Sequence, residues 1–235
     1  MPARPYAGME TSLHQQLKDR YAGTKGETEV RLGRYRIDAV VNRELVEIQH
    51  GSLGAIRDKI RELLDEHKVR VVKPIVASKV LVKRTEKGGP VVSRRRSPKR
   101  GTLLDLFDEL VHFTRVFPHR RLTLEVLLVD IEEYRYPGHG KRRRWRRADH
   151  EREDQHLVAV KETHRFRTAK DLWKLAPAGL PRPFHTGHLA EQLGVGRWVA
   201  QRMAYCFREM DIVRQVGKSG NALLYEPVRR RRKSA

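Results

Sequence analysis

Two carboxylates, Asp38 and Glu47, carry the chemistry most readily drawn from this chain. They belong to the stretch from Tyr35 to His50, which alternates polar and apolar residues on either side of Asn42-Arg43. Such alternation is the period of a half-buried strand, and Asn42-Arg43 reads as a turn between two strands. In the register of a two-residue turn, Asp38 faces Glu47 and Arg36 faces Gln49. Directly opposed like charges cost a hairpin up to about 1 kcal/mol, so the pattern predicts a cation between the two acids. Carboxylate oxygens are hard donors that suit Mg²⁺, with Mn²⁺ as the second choice.

On Asp38 and the triplet Glu47-Ile48-Gln49 the chain resembles the PD-(D/E)xK nuclease superfamily. Its restriction-endonuclease-like sites combine an Asp on one strand with an acidic-x-Lys triplet on the next. Gln49 stands where most of the superfamily has Lys, and Arg36-Ile37 precede Asp38 without the Pro. The resemblance implies that Asp38, Glu47 and the carbonyl of Ile48 hold the metal, and that Gln49 or that carbonyl positions the attacking water. It also implies one more acid from the first helix; Glu10 is the best match and Glu29 its rival. Glutamine orients by hydrogen bonding but brings no charge, so Gln49 would do less than a lysine.

The elements that must position these residues follow in order. Thr11 or Ser12 can cap a helix through Tyr21, with Leu13, Leu17 and Tyr21 on one stripe and Gly23 after it. Glu29 to Leu32 reads as a strand ahead of the hairpin. Gly51-Ser52 leads into a helix from Leu53 to His67, and Val69 to Ala77 is a β-branched run suited to a buried parallel strand. The expected fold class is α/β: a restriction-endonuclease-like αβββαβ core with a mixed sheet, as the resemblance implies, and a C-terminal winged-helix domain.

Beyond the core, Lys79 to Arg84 and Val91 to Arg96 form a second, basic hairpin, and Thr102 with Asp105 boxes the start of a helix running to Phe117. Leu122 to Ile131 is a strand fit for the sheet interior. The basic loop after it, with Arg143, Arg144 and Trp145, could hold a phosphate backbone and stack a base. Mixed charges near Asp149 to Asp154 mark a boundary. The expected units are residues 1–150, a nuclease-like domain; 151–167, a linker or shared strand; 168–228, a winged helix-turn-helix; and 229–235, a basic tail. In the third unit Leu189-Ala-Glu-Gln-Leu-Gly-Val-Gly196 resembles a helix-turn-helix, which aims Arg197, Trp198, Gln201 and Arg202 at a major groove and Lys218 of the wing at a phosphate.

Charge agrees with this assignment. The chain of 235 residues carries 50 Lys+Arg against 29 Asp+Glu, a formal net charge of +21, which points to a polyanionic partner. The single cysteine, Cys206, rules out internal disulfides and cysteine-based zinc sites. No signal-peptide pattern and no apolar run of about 18 residues is present, so the expected location is cytoplasmic and nucleoid-associated, without membrane contact. The function expected is a metal-dependent DNA endonuclease acting on duplex DNA, as a monomer or a homodimer. The alternative is a catalytically inactive nuclease-fold regulator or adaptor that binds DNA.

Overall fold

The structure, a computed structural model, describes residues 11–138 and 150–228. It is mixed α/β, built on a seven-stranded mixed sheet. Helix α1 (Ser12–Ala22) starts where the Thr11 side chain accepts the His14 N–H and ends at Gly23, whose φ of 55° stops the helix. Strands β1 (Glu27–Leu32), β2 (Tyr35–Val41) and β3 (Glu44–Ile48) form an antiparallel meander. A 3-10 turn at Leu53–Ile56 and helix α2 (Arg57–Leu63) then carry the chain to β4 (Lys68–Arg84), which pairs parallel to β3. The helix expected over Leu53 to His67 is thus split and shorter, with the Ser52 side chain capping the 3-10 turn.

Strand β4 runs 17 residues, because the buried parallel run and the first arm of the basic hairpin are one continuous strand. Its outer half pairs with β5 (Val91–Arg96), and nearly its whole length pairs parallel to β6 (Leu122–Pro137). Strand β7 (His150–Phe166) closes the sheet antiparallel to β6. Residues 151–167 are accordingly sheet strand up to Phe166. Between β5 and β6 the Thr102–Asp105 capping box opens a 3-10 turn that leads into α3 (Leu106–Leu110).

One face of the sheet packs on α1 through Leu13, Leu17, Val46, Val72 and Val129. The other packs on α2 and α3 and continues without interruption into α4 (Ala169–Trp173), α5 (Thr186–Leu193) and α6 (Arg197–Glu209). Phe107 of α3 meets Phe207 of α6 edge-on at 5.5 Å. The turn between α5 and α6 passes through Gly194 at φ 63°, a backbone conformation in which a side chain would be strained. A two-stranded sheet, β8 (Val213–Ser219) with β9 (Ala222–Pro227), follows α6. Cys206 is buried in α6 among apolar neighbours. No helix among the described residues is long and apolar enough to cross a membrane.

Candidate active site

The β2–β3 hairpin has the register expected from its two-residue turn: Val41 pairs with Glu44, Val40 with Leu45 and Ala39 with Val46. Asn42 and Arg43 both have positive φ, 51° and 64°, the backbone that a tight turn between twisted strands requires. Pairing lapses one step beyond Ala39, at Asp38 and Glu47. On the other side of β2 it lapses at the same residue. Thr28 pairs with Ala39 and Val30 with Ile37, so Glu29 lies opposite Asp38 in an unpaired position, at φ 60°. Asp38 therefore stands at a break in both ladders. Its Oδ2 accepts the Ile48 N–H at 2.7 Å.

Each carboxylate meets cations of the chain itself. Asp38 Oδ1 is 3.2 Å from His14 Nε2 and 3.9 Å from Lys18 Nζ, both on α1. Glu47 Oε1 accepts from Lys59 Nζ of α2 at 2.6 Å, and the same ammonium donates to the Arg36 carbonyl at 2.6 Å. Side chains from two helices thus meet the two acids separately, His14 and Lys18 at Asp38 and Lys59 at Glu47. Glu47 Oε2, in contrast, is buried with no hydrogen-bond partner among the described atoms, and so is His50 Nε2. Burial, reinforced by the charge of Asp38, outweighs Lys59 and pushes Glu47 up to about 7. Burial, with the charges of His14 and Lys73, pushes His50 down to about 4, which leaves its ring neutral. The His14 and His50 rings lie 5.3 Å apart.

The remaining expected site residues separate. Gln49 lies past the end of β3, so it does not face Arg36 across the hairpin. Its N–H joins the Val72 carbonyl of β4 and its side-chain amide donates to the Ser52 carbonyl at 2.8 Å. Glu29 has both oxygens in ion pairs, one with Lys18 and one with Arg36. Glu10 lies outside the described residues, as do Arg143, Arg144, Trp145 and the tail at 229–235. Among the described residues no group of three or more His, Cys, Asp or Glu side chains converges to hold a metal. Lys59 and His50 went unnoticed in the sequence. Lys59 carries no local signal, whereas His50 adjoins the triplet and could have been weighed with it.

On α6, Arg197, Trp198 and Gln201 are exposed on one face, with Trp198 51% exposed and Tyr205 beside them at 39%. Arg202 is less available than the helix pattern suggested. Its guanidinium lies over the Trp198 ring at 4.8 Å and pairs with Asp108 of α3 at 2.6 Å. Lys218 is exposed on β8. Helix α3 links this face to the loop after Glu47, since Glu109 accepts the Leu53 N–H at 3.0 Å and approaches Lys73 at 3.8 Å.

Comparison with known proteins adds a family without an assigned activity. The model of a family described as "Domain of unknown function (DUF8091)" matches residues 11–167, the whole sheet with α1, α2 and α3. A protein of Treponema pallidum (strain Nichols), described as "Uncharacterized protein", is 29% identical over 189 residues, covering 80% of this chain and 73% of its own. No solved structure matches.

Proposed function

We propose that this chain, which belongs to the family described as Domain of unknown function (DUF8091), is a metal-dependent endodeoxyribonuclease. The observation that carries the reading is the unpartnered, buried oxygen of Glu47 beside Asp38. An unsatisfied carboxylate oxygen costs about 1–3 kcal/mol or more, and a hard divalent cation is the partner that would remove that cost. Two carboxylates suffice for Mg²⁺ or Mn²⁺, which complete their coordination with water and substrate phosphate. Bound there, the cation would lower the pKa of a water and neutralise charge on the phosphate.

The chain's own residues do the rest. Asp38 and Glu47 hold the cation from adjacent strands, and the Ile48 N–H fixes the Asp38 carboxylate by its hydrogen bond. Lys59, in contact with Glu47, brings the fixed positive charge that Gln49 cannot supply. His14 contacts Asp38 at 3.2 Å, and the neutral ring of His50 lies 5.3 Å from the His14 ring. The order α1, β1, β2, β3, α2, β4 supports a restriction-endonuclease-like core, and α4 to α6 followed by the β8–β9 hairpin supports a winged helix. Its exposed Arg197, Trp198 and Gln201, with a net charge of +21, suit duplex DNA and a nucleoid location. One observation favours the alternative of an inactive DNA-binding regulator: Lys59 already covers one oxygen of Glu47.

Supercoiled plasmid incubated with the pure protein tests the proposal. Nicked or linear product is expected with Mn²⁺ or Mg²⁺ and none with EDTA. Intact plasmid with both metals, alongside a gel shift of the same DNA, would establish the regulator instead.

A further inference from the structure

A second site lies at the opposite end of the parallel strands. Glu44 and Lys68 begin β3 and β4, Leu122 begins β6, and around these strand starts is a cavity of about 450 Å³. Its cations are Lys68, Arg70, Arg120, Arg121 and Arg167, against the single acid Glu44; Asn42 and Thr123 add neutral polar groups. Two of the cations are held in place. Arg121 donates to the carbonyls of Leu64 (3.1 Å) and Asp65 at the end of α2. Arg70 is fixed between Glu44 at 2.5 Å and Glu125 at 3.5 Å. The side chains of Lys68, Arg120 and Arg167 are exposed and have no acidic partner among the described residues, although the Arg167 main-chain N–H donates to the Asp171 carboxylate at 3.1 Å. Convergence of unpaired cations raises the energy of the unliganded state, and an anion relieves it.

Arg120 and Arg167 also form the wall of a neighbouring cavity of about 740 Å³, where Pro118, Trp173, Met210, Ile212 and Pro227 give more apolar surface than the first cavity has, beside the charged Lys170 and Asp211. Two lobes sharing two arginines, one fit for phosphate and one for a flat apolar ring, match the two ends of one kind of ligand. Apolar surroundings with a few charged anchors are the usual make-up of a small-molecule site.

We propose that this double cleft binds a nucleoside phosphate, the phosphates on Lys68, Arg120 and Arg167 and the base in the lobe containing Trp173. The ligand is either a free nucleotide or the phosphorylated end of a nucleic-acid strand, which share this chemistry. The site is independent of the nuclease reading. Glu44, in its wall, and Glu47 sit at opposite ends of β3 and, three residues apart, on opposite faces of the strand.

The test uses the full chain in EDTA, so that metal-dependent cleavage cannot interfere, with calorimetry as the readout. ATP, ADP, inorganic triphosphate and short single strands with and without a 5′-phosphate are titrated. ATP is expected to bind more tightly than inorganic triphosphate. Arg120→Ala/Arg167→Ala should weaken it roughly 10- to 100-fold, the loss of two charge-assisted contacts. Lys83→Ala/Arg95→Ala removes the same charge from the β4–β5 hairpin and should leave it unchanged. A preference for 5′-phosphorylated over 5′-hydroxyl strands, lost in the same arginine variant, supports the strand end as the source. Equal binding of ATP and inorganic triphosphate overturns the assignment of the base lobe. Equal losses in the two double variants reduce the cleft to general surface charge and overturn the proposal.

Discussion

Glu125 and Glu133 lie along β6, Glu47 at the end of β3, and all three are more than nine-tenths buried, at 2%, 4% and 8% exposure. Their surroundings differ. Glu125 accepts from the Tyr21 hydroxyl on one oxygen and from Arg165 at 2.5 Å on the other, with Arg70 at 3.5 Å. Glu133 takes Arg135 on one oxygen and Lys79 and Gln155, each at 2.9 Å, on the other. Burial raises Glu133, yet hydrogen bonds and charges of Lys79 and Arg135 outweigh it and hold the group below the ordinary carboxylate value. At Glu47 one cation meets one oxygen, burial wins, and the group rises to about 7. The same sheet thus completes the partners of two buried acids and leaves the third half-made. Completed sets serve the fold, and the incomplete one is where a cation from outside the chain has something to gain.

Activity should separate the two kinds most strongly. Asp38→Ala and Glu47→Ala are expected to lower metal-dependent plasmid nicking on the order of 10³-fold, the scale of losing a principal electrostatic group. DNA affinity in a gel shift should stay within about twofold of the parent, because the proposed DNA contact lies on α6. Nicking that survives both substitutions would place the chemistry elsewhere.

Stability should separate them in the reverse direction. Glu133→Ala leaves Lys79 and Arg135 facing each other, and should cost about 2 kcal/mol in urea unfolding. That is below the range for a fully buried pair, because both cations are partly exposed. Glu47→Gln removes a charge that burial disfavours, and should leave stability unchanged or raise it. A larger loss at Glu47 than at Glu133 would reverse the comparison.

The smallest effect is in the pH profile. Glu47 has a folded pKa near 7 against an ordinary 4.5, so its contribution is full below about 4.5 and is lost as pH rises towards 7. His50 has a folded pKa near 4 against 6.5, so its contribution is full above 6.5 and is lost as pH falls towards 4. Between 4.5 and 6.5 the two slopes oppose each other in the parent. Glu47→Gln should unmask the histidine, giving stability that rises with pH across that window by about 1.4 kcal/mol per unit at most. Parallel profiles for parent and variant would show that the environment of Glu47 does not disfavour its charge.

Much of the frame follows from local rules. The two-residue turn at Asn42-Arg43, with both residues at positive φ, fixes the register of β2 and β3. Thr11 and the Thr102–Asp105 box mark helix starts through hydrogen bonds to the next turn, and Gly23 and Gly194 mark ends. The length of β4 was hidden because its buried half and its basic half have different compositions. One strand crosses from the covered part of the sheet into the exposed ribbon with β5, and composition changes there without a break in the backbone. The first residues of β7 read as a boundary for a similar reason: they are charged, and pairing with β6 rather than apolar content makes them strand.

By itself, then, the sequence determined the two acids, their adjacent strands and the positive charge around them. Which partners each acid meets was decided in three dimensions. Lys59 reaches Glu47 because α2 folds back over the sheet between β3 and β4; His14 reaches Asp38 because α1 packs on the opposite face; Asp108 captures Arg202 because α3 and α6 share a core. Such contacts depend on where whole helices lie, and helix placement is set by apolar faces summed over many residues. No spacing along the chain records it.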